Sequence, residues 1–491
     1  MAKLKEEKIM ESNIKSKTLS SLIWKFAERC GAQLIQFVVQ IVLARLLTPA
    51  DYGLIGLITV FLTIALVFAQ SGLGQALVQR KEINDTEFST VFHFSFLFSI
   101  ILYIILFFCS PLIAGFYKEP TLTNVIRVLG LTVIVGAINS VQQAYVQKTM
   151  QFKRFFYSTL SGTLVSAGVG IGMAYAGFGV WALVGQQLSN QIVNMIVLWF
   201  TLKWKPKRVF SVSSAKSLFS YGWKLLCSSL LDTIYNNMYS LIIGKFYSSS
   251  DLGYYNRGKQ FPILVIQNIN TAIESVMFPV LSDVQDDKQR LKAMVRRTLV
   301  MSTFIIFPCM AGLAAIAKPL TILMLTDKWL PAVPFIQFCC FTYAFWPIHT
   351  ANLQAIKAVG RSDIFLKLEI IKKIIGVLGL CISIPFGLYT MMWVRCLTTV
   401  ISSFINAFPN KKLLGYSYWE QIKDMLPSFV LSIVMCGVVL IYNLLNLSAI
   451  MTMTLQVITG VAIYILMARL FKFESLDYIL NTLTSIRKKW R

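Results

Sequence analysis

Long apolar runs follow one another along the whole chain, and this feature restricts its fold more strongly than any other. Each run is close to the ~20 residues that an α-helix needs to cross the hydrocarbon core of a bilayer. Of 491 residues, 56% are hydrophobic and only 14% are charged, with a mean hydropathy of +0.65. Soluble domains are closer to ~45–50% apolar. The sequence therefore predicts an all-α, polytopic membrane protein.

Fourteen transmembrane helices are predicted from these runs. They are placed at 18–45, 52–77, 88–113, 121–146, 155–176, 180–202, 217–245, 251–281, 298–317, 331–356, 363–385, 387–408, 425–445 and 449–471.

The positive charge is unevenly distributed along the chain. The 46 Lys and Arg exceed the 22 Asp and Glu, giving a formal net charge of +24. If the N-terminus is cytosolic, most of these basic residues fall in segments on the cytosolic side, among them 203–216 and 288–297. This is the pattern of the positive-inside rule, and it accounts for the charge without a nucleic-acid partner. Both termini are therefore expected in the cytosol.

Two short segments repeat each other about two hundred residues apart. "ARLLTPADYG" at 44–53 resembles "GKFYSSSDLG" at 244–253 in its basic residue, its small-residue break and its Asp-x-Gly ending. Trp24–Lys25 likewise corresponds to Trp223–Lys224. Because each unit contains an even number of crossings, the two copies are expected to be parallel repeats related by an axis along the membrane normal.

The predicted organisation follows from this repeat. It consists of a cytosolic basic tail at 1–17, a six-helix lobe at 18–202, a cytosolic linker at 203–216, a second six-helix lobe at 217–408, a cytosolic loop at 409–424, two extra helices at 425–471 and a cytosolic basic tail at 472–491. Two similar bundles leave a central seam that alternating access can expose to each side of the membrane in turn, which indicates a transporter. The repeated corner is interpreted as a helix cap, with a gate hinge as the alternative.

Three motifs in order along the chain carry a resemblance to a known family. "LARLLTPADYGLIGL" (43–57), "YYNRGKQFP" (254–262) and "VMFPVLS" (276–282) resemble the polysaccharide transporter family of the multidrug/oligosaccharidyl-lipid/polysaccharide flippase superfamily. The resemblance implies transfer of an undecaprenyl-pyrophosphate-linked oligosaccharide across a bacterial cytoplasmic membrane, for lipopolysaccharide or exopolysaccharide assembly. It also implies membrane lipids, a polysaccharide polymerase and glycosyltransferases as partners.

Charged side chains inside the predicted helices are the candidate substrate contacts. Burying a charge in a membrane is costly, so such residues normally face a wet cavity or a partner. Arg can bind phosphate in a fork, and Lys supplies a mobile point charge. The candidate substrate-binding residues are Lys25, Arg29, Gln33 and Lys224 toward the cytosolic half, and Arg257, Lys259 and Arg395 toward the external half. For Lys25 and Lys224, snorkelling to the lipid headgroups is an equally good interpretation.

Two acidic residues are candidates for ion coupling. Asp232 and Glu274 lie within predicted helices, where lone acids often mark proton or cation paths. H⁺ or Na⁺ would be the coupling ion. A salt bridge to a facing Lys or Arg is the alternative interpretation.

The motifs of an enzyme or an ATP-driven pump are missing from the sequence. The phosphate-binding pattern G-x-x-x-x-G-K-[ST] does not occur, and the nine Cys form no C-x-x-C pair. No catalytic residue, cofactor or metal is therefore predicted. A lipid II flippase, a multidrug exporter and a membrane glycosyltransferase or polymerase remain as alternatives, although the basic seam favours an anionic cargo.

Overall fold

A computed structural model describes residues 24–25, 28, 31–70, 77, 84–445 and 447–489. This part of the chain folds into α-helices joined by short turns and 3₁₀ segments, and it divides into two compact units, residues 1–253 and 254–491. The division falls after Gly253, within the first turns of one long helix.

The helices of the first unit are α1 (Gly31–Leu46), α2 (Pro49–Gln70), α3 (Asp85–Tyr117), α4 (Thr121–Leu129), α5 (Leu131–Thr149), α6 (Phe152–Tyr175), α7 (Val180–Thr201) and α8 (Val212–Phe246). The helix α9 (Ser249–Ser282) begins in the first unit and continues in the second. The remaining helices are α10 (Lys288–Ala315), α11 (Ala317–Leu325), α12 (Val333–Ala344), α13 (Trp346–Ala358), α14 (Ser362–Ser383), α15 (Leu388–Leu414), α16 (Tyr418–Leu440), α17 (Ala449–Leu470) and α18 (Glu474–Lys489).

The prediction of an all-α, multi-pass membrane protein is confirmed. Each of the fourteen predicted segments overlaps helical structure, and eight helical stretches in the described residues are long and apolar enough to span a membrane. Large apolar side chains also point away from the protein interior, such as Phe108 (72% exposed), Phe200 (81%) and Leu470 (75%). Surfaces of this kind suit contact with lipid.

Two predicted polar segments are more helical than expected. The loop predicted at 409–424 shrinks to residues 415–417, because α15 continues to Leu414 and α16 begins at Tyr418. Ser417 and Glu420 form a capping box at the start of α16. The predicted tail at 472–491 contains α18, an amphipathic helix. In both places charged residues lie at helix ends, where they interact favourably with the helix dipole.

The first unit fixes its polar linker to α3. Trp204 packs with Phe88 and Phe92 in a buried aromatic cluster. Lys207 forms an ion pair with Asp85 (2.7 Å), and its backbone N–H donates to the Ser89 hydroxyl. The linker predicted at 203–216 is therefore held against the start of a helix, and α8 begins before it ends.

The second unit contains the two extra helices predicted near the C-terminus. Leu431 and Met435 of α16 share a buried cluster with Phe304 of α10 and Tyr464 of α17. The Tyr464 hydroxyl donates to the Phe304 backbone oxygen (2.7 Å). The helices α16 and α17 are thus packed onto α10 and belong to this unit.

Candidate functional site

The two repeated corners adopt the same capping arrangement. At the start of α2, the Thr48 backbone N–H and hydroxyl both donate to the Asp51 carboxylate (2.9 and 2.6 Å). At the start of α9, the Ser248 backbone N–H and hydroxyl donate to Asp251 in the same way (3.2 and 2.7 Å). The interpretation of this motif as a helix cap is confirmed.

The glycines of these corners lie where the two corners touch, within the first unit. A Cβ added to Gly53 would lie 1.7 Å from the Ser249 carbonyl oxygen, and one added to Gly253 would lie 1.9 Å from the Pro49 carbonyl oxygen. The contact is reciprocal and involves backbone on both sides. Only glycine permits so close an approach. The repeated Asp-x-Gly therefore caps the helix with its Asp and packs the two corners together with its Gly.

Arg395 lies at the centre of a polar cluster in the second unit. Its Nη1 donates to the Tyr255 hydroxyl (2.6 Å), and it also hydrogen-bonds the Tyr343 hydroxyl. Cys339 lies within electrostatic range of both Arg395 and Lys259. Tyr255 and Lys259 share a face of α9, being four residues apart. Lys259 therefore lies one helical turn from Tyr255, the residue that holds Arg395.

Arg257 occupies a different face of α9. Its side chain is only 6% exposed, and its Nη1 donates to Gln260 (2.5 Å). The guanidinium lies 5.9 Å from the ring centroid of Trp329, which is itself fully buried. Arg257 is two residues from both Tyr255 and Lys259, and this spacing points their side chains in different directions. The structure therefore places Arg257 beside Trp329.

Aromatic rings surround both arginines. Tyr255 contacts Phe335 edge-on, with ring centroids 6.3 Å apart, and Phe335 stacks on Tyr389 (5.9 Å). Arg395 lies 5.9 Å from the Tyr255 ring centroid, within cation–π range. Guanidinium and ammonium groups are suited to contact phosphate. We refer to Tyr255, Lys259, Tyr343 and Arg395 as the Arg395 cluster.

The cytosolic-half candidates in the first unit have a different setting. Lys25 is 48% exposed, pairs with Glu28 (3.3 Å) and lies 4.6 Å from the Phe155 ring centroid. Gln33 is half-buried on α1. Arg29 lies outside the described residues. Lys224 lies on α8, but its side chain is outside the described part of the structure.

The two candidate coupling acids are both exposed. Glu274 accepts a hydrogen bond from the Asn270 side chain (2.9 Å), and Asn270 in turn accepts one from Thr350 (2.7 Å). This chain of polar groups links α9 to α13 inside the second unit. Asp232 is exposed on α8 in the first unit. Among the described residues, no group of three or more His, Cys, Asp or Glu could hold a metal ion.

A buried network of amide side chains was not predicted from the sequence. Asn352 donates to Gln421 (2.8 Å), Gln421 donates back to Asn352 (3.0 Å), and Asn410 donates to Asn352 (2.7 Å). All three side chains are fully buried. Four residues before Asn410, Asn406 hydrogen-bonds His349 (2.9 Å). Asn406 and Asn410, four residues apart in an apolar helix, could have indicated this network, since that spacing puts both side chains on one face of the helix.

Comparison with known proteins identifies the family of this chain. Residues 42–334, more than half of the chain, match the family described as "polysaccharide biosynthesis protein". The chain belongs to this family. Among the relatives are teichuronic acid biosynthesis protein TuaB of Bacillus subtilis (24% identical, covering 92% of this chain and 95% of that protein) and lipopolysaccharide biosynthesis protein WzxC of Escherichia coli (23%, covering 86% of each). Succinoglycan biosynthesis transport protein ExoT of Rhizobium meliloti is 20% identical over 72% of each chain.

A solved structure shares the fold. Lipid II flippase MurJ, in an inward closed conformation, superposes with a TM-score of 0.72 over 92% of this chain and 98% of its own, at 14% identity. At this identity the match shows the fold alone. The resemblance to a polysaccharide transporter family, predicted from three short motifs, is confirmed by the family match.

Proposed function

We propose that this protein is a flippase that moves undecaprenyl-pyrophosphate-linked oligosaccharide repeat units across the bacterial cytoplasmic membrane, for surface polysaccharide assembly. The family match over residues 42–334 carries the proposal. Relatives over nearly the whole chain are named for the biosynthesis or transport of surface polysaccharides. Glycosyltransferases would build the same lipid-linked units before transfer, and a polysaccharide polymerase would join them afterwards.

The proposed topology has fourteen crossings. Helices 1–6 and 7–12 of the sequence prediction would form parallel repeats, with helices 13 and 14 added and both termini in the cytosol. The reciprocal packing of Gly53 and Gly253 supports a two-fold relation between the corners that precede the second and eighth crossings. The distribution of Lys and Arg supports the orientation.

The Arg395 cluster is proposed as a pyrophosphate contact in the external half of the pathway. Arg395 is oriented by the Tyr255 hydroxyl, a neutral acceptor that positions a guanidinium without cancelling its charge. Lys259 adds a second cation near Cys339. Arg257, beside Trp329, would contribute to the positive potential from the adjacent face of α9.

The cytosolic-half residues are proposed as the first contacts of the cargo. Lys25, Arg29 and Lys224 would meet the pyrophosphate, and Gln33 would hydrogen-bond the glycan. Lys25 is partly exposed, so its charge is accessible to a headgroup that arrives from the cytosolic leaflet. The polyprenyl tail would stay in the lipid while the headgroup moves by alternating access.

Glu274 is the better supported of the two candidates for ion coupling. It accepts a hydrogen bond from Asn270 of its own helix, so protonation or cation binding at its carboxylate would act on the same Asn270 side chain that accepts the hydrogen bond from Thr350 of α13. Asp232 is exposed on α8 and is the second candidate. Because the sequence has no phosphate-binding loop for ATP, an ion gradient, the membrane potential or the cargo gradient would drive transport.

A flippase can be distinguished from a glycosyltransferase or a multidrug exporter by the intermediate that accumulates when the gene is deleted. Deleting the gene should leave complete lipid-linked oligosaccharide on the cytosolic side, measured by mass spectrometry of extracted lipids and by resistance to an external glycosidase. Loss of a glycosyltransferase would leave a truncated oligosaccharide instead. Normal surface glycan with no accumulated intermediate would overturn the proposal and favour a multidrug exporter.

A further inference from the structure

A second charged region of the molecule shares no residue with the Arg395 cluster. A cavity of about 800 Å³ in the second unit is lined by residues from α10, α16 and the start of α18. Along α10 its lining changes from Lys292 and Arg296 to Val300 and Met301, as the helix runs from its polar start toward the membrane interior. The cavity therefore combines a charged part with an apolar part.

Two cations of this lining are engaged by acids of the protein. Arg296 holds Asp424 in a fork, with Nε and Nη2 donating at 2.9 and 2.7 Å. The Tyr416 hydroxyl donates to the same carboxylate (2.7 Å). Lys292 donates to the Gly415 carbonyl oxygen (2.6 Å) and pairs with Glu420 (3.4 Å). These contacts fix the wall of the cavity.

Two further cations of the lining remain available. Arg297 and Lys423 are exposed and take part in no ion pair within the described residues. The Arg297 guanidinium lies 4.0 Å from the ring centroid of Tyr478. A guanidinium stacked on a ring is held by its flat face, so its N–H groups along the edge stay free to bind a phosphate. Glu474 is the remaining acid of the lining.

The part of the cavity lining that comes from α18 indicates the depth of the cavity in the membrane. Helix α18 is amphipathic and follows the last predicted crossing, and its Tyr478 and Leu480 are 45% and 49% exposed. Helices of this kind lie in the plane of the membrane interface. The cavity is then at headgroup level, on the side that the positive-inside rule assigns to the cytosol. Basic pockets between membrane helices on that side suit anionic lipid headgroups.

We infer that this cavity binds the phosphate headgroup of an anionic membrane phospholipid. Arg297 and Lys423 contact the phosphate, and the acyl chains lie against Val300, Met301 and Pro427. The apolar part of the lining favours a lipid over a free phosphate, which would leave that surface unused. The cavity lining includes no residue of the Arg395 cluster, and the inference does not rest on the proposed flippase activity.

The test is a titration of the purified full-length protein in a non-ionic detergent, followed by thermal unfolding. The probes are dioctanoyl phosphatidylglycerol, dioctanoyl phosphatidylcholine and glycerol 1-phosphate, which carries the phosphate without tails. Arg297→Gln/Lys423→Gln is compared with Lys411→Gln/Lys412→Gln, which removes the same charge from exposed positions at the end of α15, outside the cavity.

Phosphatidylglycerol should raise the unfolding temperature of the wild type and of the Lys411/Lys412 control. Binding to the Arg297/Lys423 variant should be about 25-fold weaker, since each basic residue near an anionic lipid contributes about fivefold. Equal binding to both variants would overturn the inference. A response to glycerol 1-phosphate as strong as to phosphatidylglycerol would also overturn it, in favour of a free-anion site. If the double variant does not fold, Lys423→Gln alone should weaken binding about fivefold, and an unchanged affinity would contradict the site.

Discussion

The corner segments 48–53 and 248–253 match each other in sequence, in hydrogen bonding and in packing, whereas the cation-bearing regions around Lys25 and Arg395 differ. Both corners use a hydroxyl and an Asp to cap a helix, and both place a Gly against the carbonyl of the other corner. Lys25 is half exposed and paired with Glu28, while Arg395 is held by tyrosine hydroxyls.

The difference between the corners and the cation-bearing regions shows which physical constraints keep the two copies of a repeated segment alike. At the corners, backbone atoms of each segment occupy the space that a side chain would need, so the choice of residue is restricted on both sides. Around Lys25 and Arg395 the neighbours are side chains, Glu28 and Phe155 for Lys25 and Tyr255 for Arg395, and these differ between the two units. We therefore expect substitutions at the corners to act on stability and those in the Arg395 cluster to act on transport.

The largest expected effect on transport comes from Arg395→Ala. Loss of a charged hydrogen-bonding group should lower the rate of lipid-linked oligosaccharide transfer by about 10- to 100-fold. Surface glycan measured in a deletion strain checks this result, with the amount of protein in the membrane measured in parallel. Arg127→Ala is the matched control, because Arg127 also stacks on a ring (Phe107, 4.4 Å) and bonds a hydroxyl (Ser110) but lies outside the predicted site. Equal loss in both variants would remove Arg395 from the site.

Gly53→Ala and Gly253→Ala should each destabilise the protein. The added Cβ would overlap a backbone carbonyl, and overpacking of this kind costs about 1–3 kcal/mol. Thermal unfolding of the purified variants provides the measurement. Gly437→Ala is the control, since a Cβ there meets nothing within 4 Å and Ala is the better helix former. If Gly253→Ala is harmless while Gly53→Ala is not, the reciprocal contact is not what keeps the corners alike.

Tyr255→Phe tests how Arg395 is held. The change removes the acceptor at 2.6 Å but keeps the ring that packs on Phe335, and Tyr343 still contacts the guanidinium. Transport should fall by about 2- to 10-fold with little change in unfolding temperature. Tyr389→Phe, which changes a ring stacked on Phe335, serves as the control. A drop in stability without a drop in transport would assign Tyr255 to packing.

Lys25→Gln should have the smallest effect on stability. A half-exposed ion pair contributes less than about 1 kcal/mol. If Lys25 only snorkels, transport stays at the wild-type level. If it meets the cargo, the apparent affinity for lipid-linked oligosaccharide weakens while the unfolding temperature is unchanged. Lys148→Gln, in the last turn of α5 and in a segment that the positive-inside pattern also assigns to the cytosol, serves as the control for charge.

The local features of the fold were accessible from the sequence. The apolar runs predicted where helices occur, because a chain in a bilayer must satisfy its backbone hydrogen bonds within each segment. The repeated Asp-x-Gly predicted both caps, since an N-terminal cap involves only residues three apart. The extension of α15 and α16 into the predicted loop at 409–424 was missed because their polar ends resemble a loop in composition.

The candidate site was accessible only in part. Residue type and depth in the membrane pointed to Arg257, Lys259 and Arg395, but they could not show which of them would meet. Lys259 shares a face of α9 with Tyr255, which bonds Arg395, while Arg257 lies beside Trp329 on another face. The buried amides Asn352, Asn410 and Gln421 come from three helices. Contacts between helices depend on their rotation and register, which apolar periodicity does not specify.

By itself the sequence determined that this chain is a multi-pass helical membrane protein of a polysaccharide biosynthesis family, because hydropathy and short motifs are local properties. The tertiary structure alone decided that Gly53 and Gly253 face each other's backbone, and that Arg297 and Lys423 share a cavity with the start of α18. Those arrangements join residues far apart in the chain, and only the packing of helices brings them within contact distance.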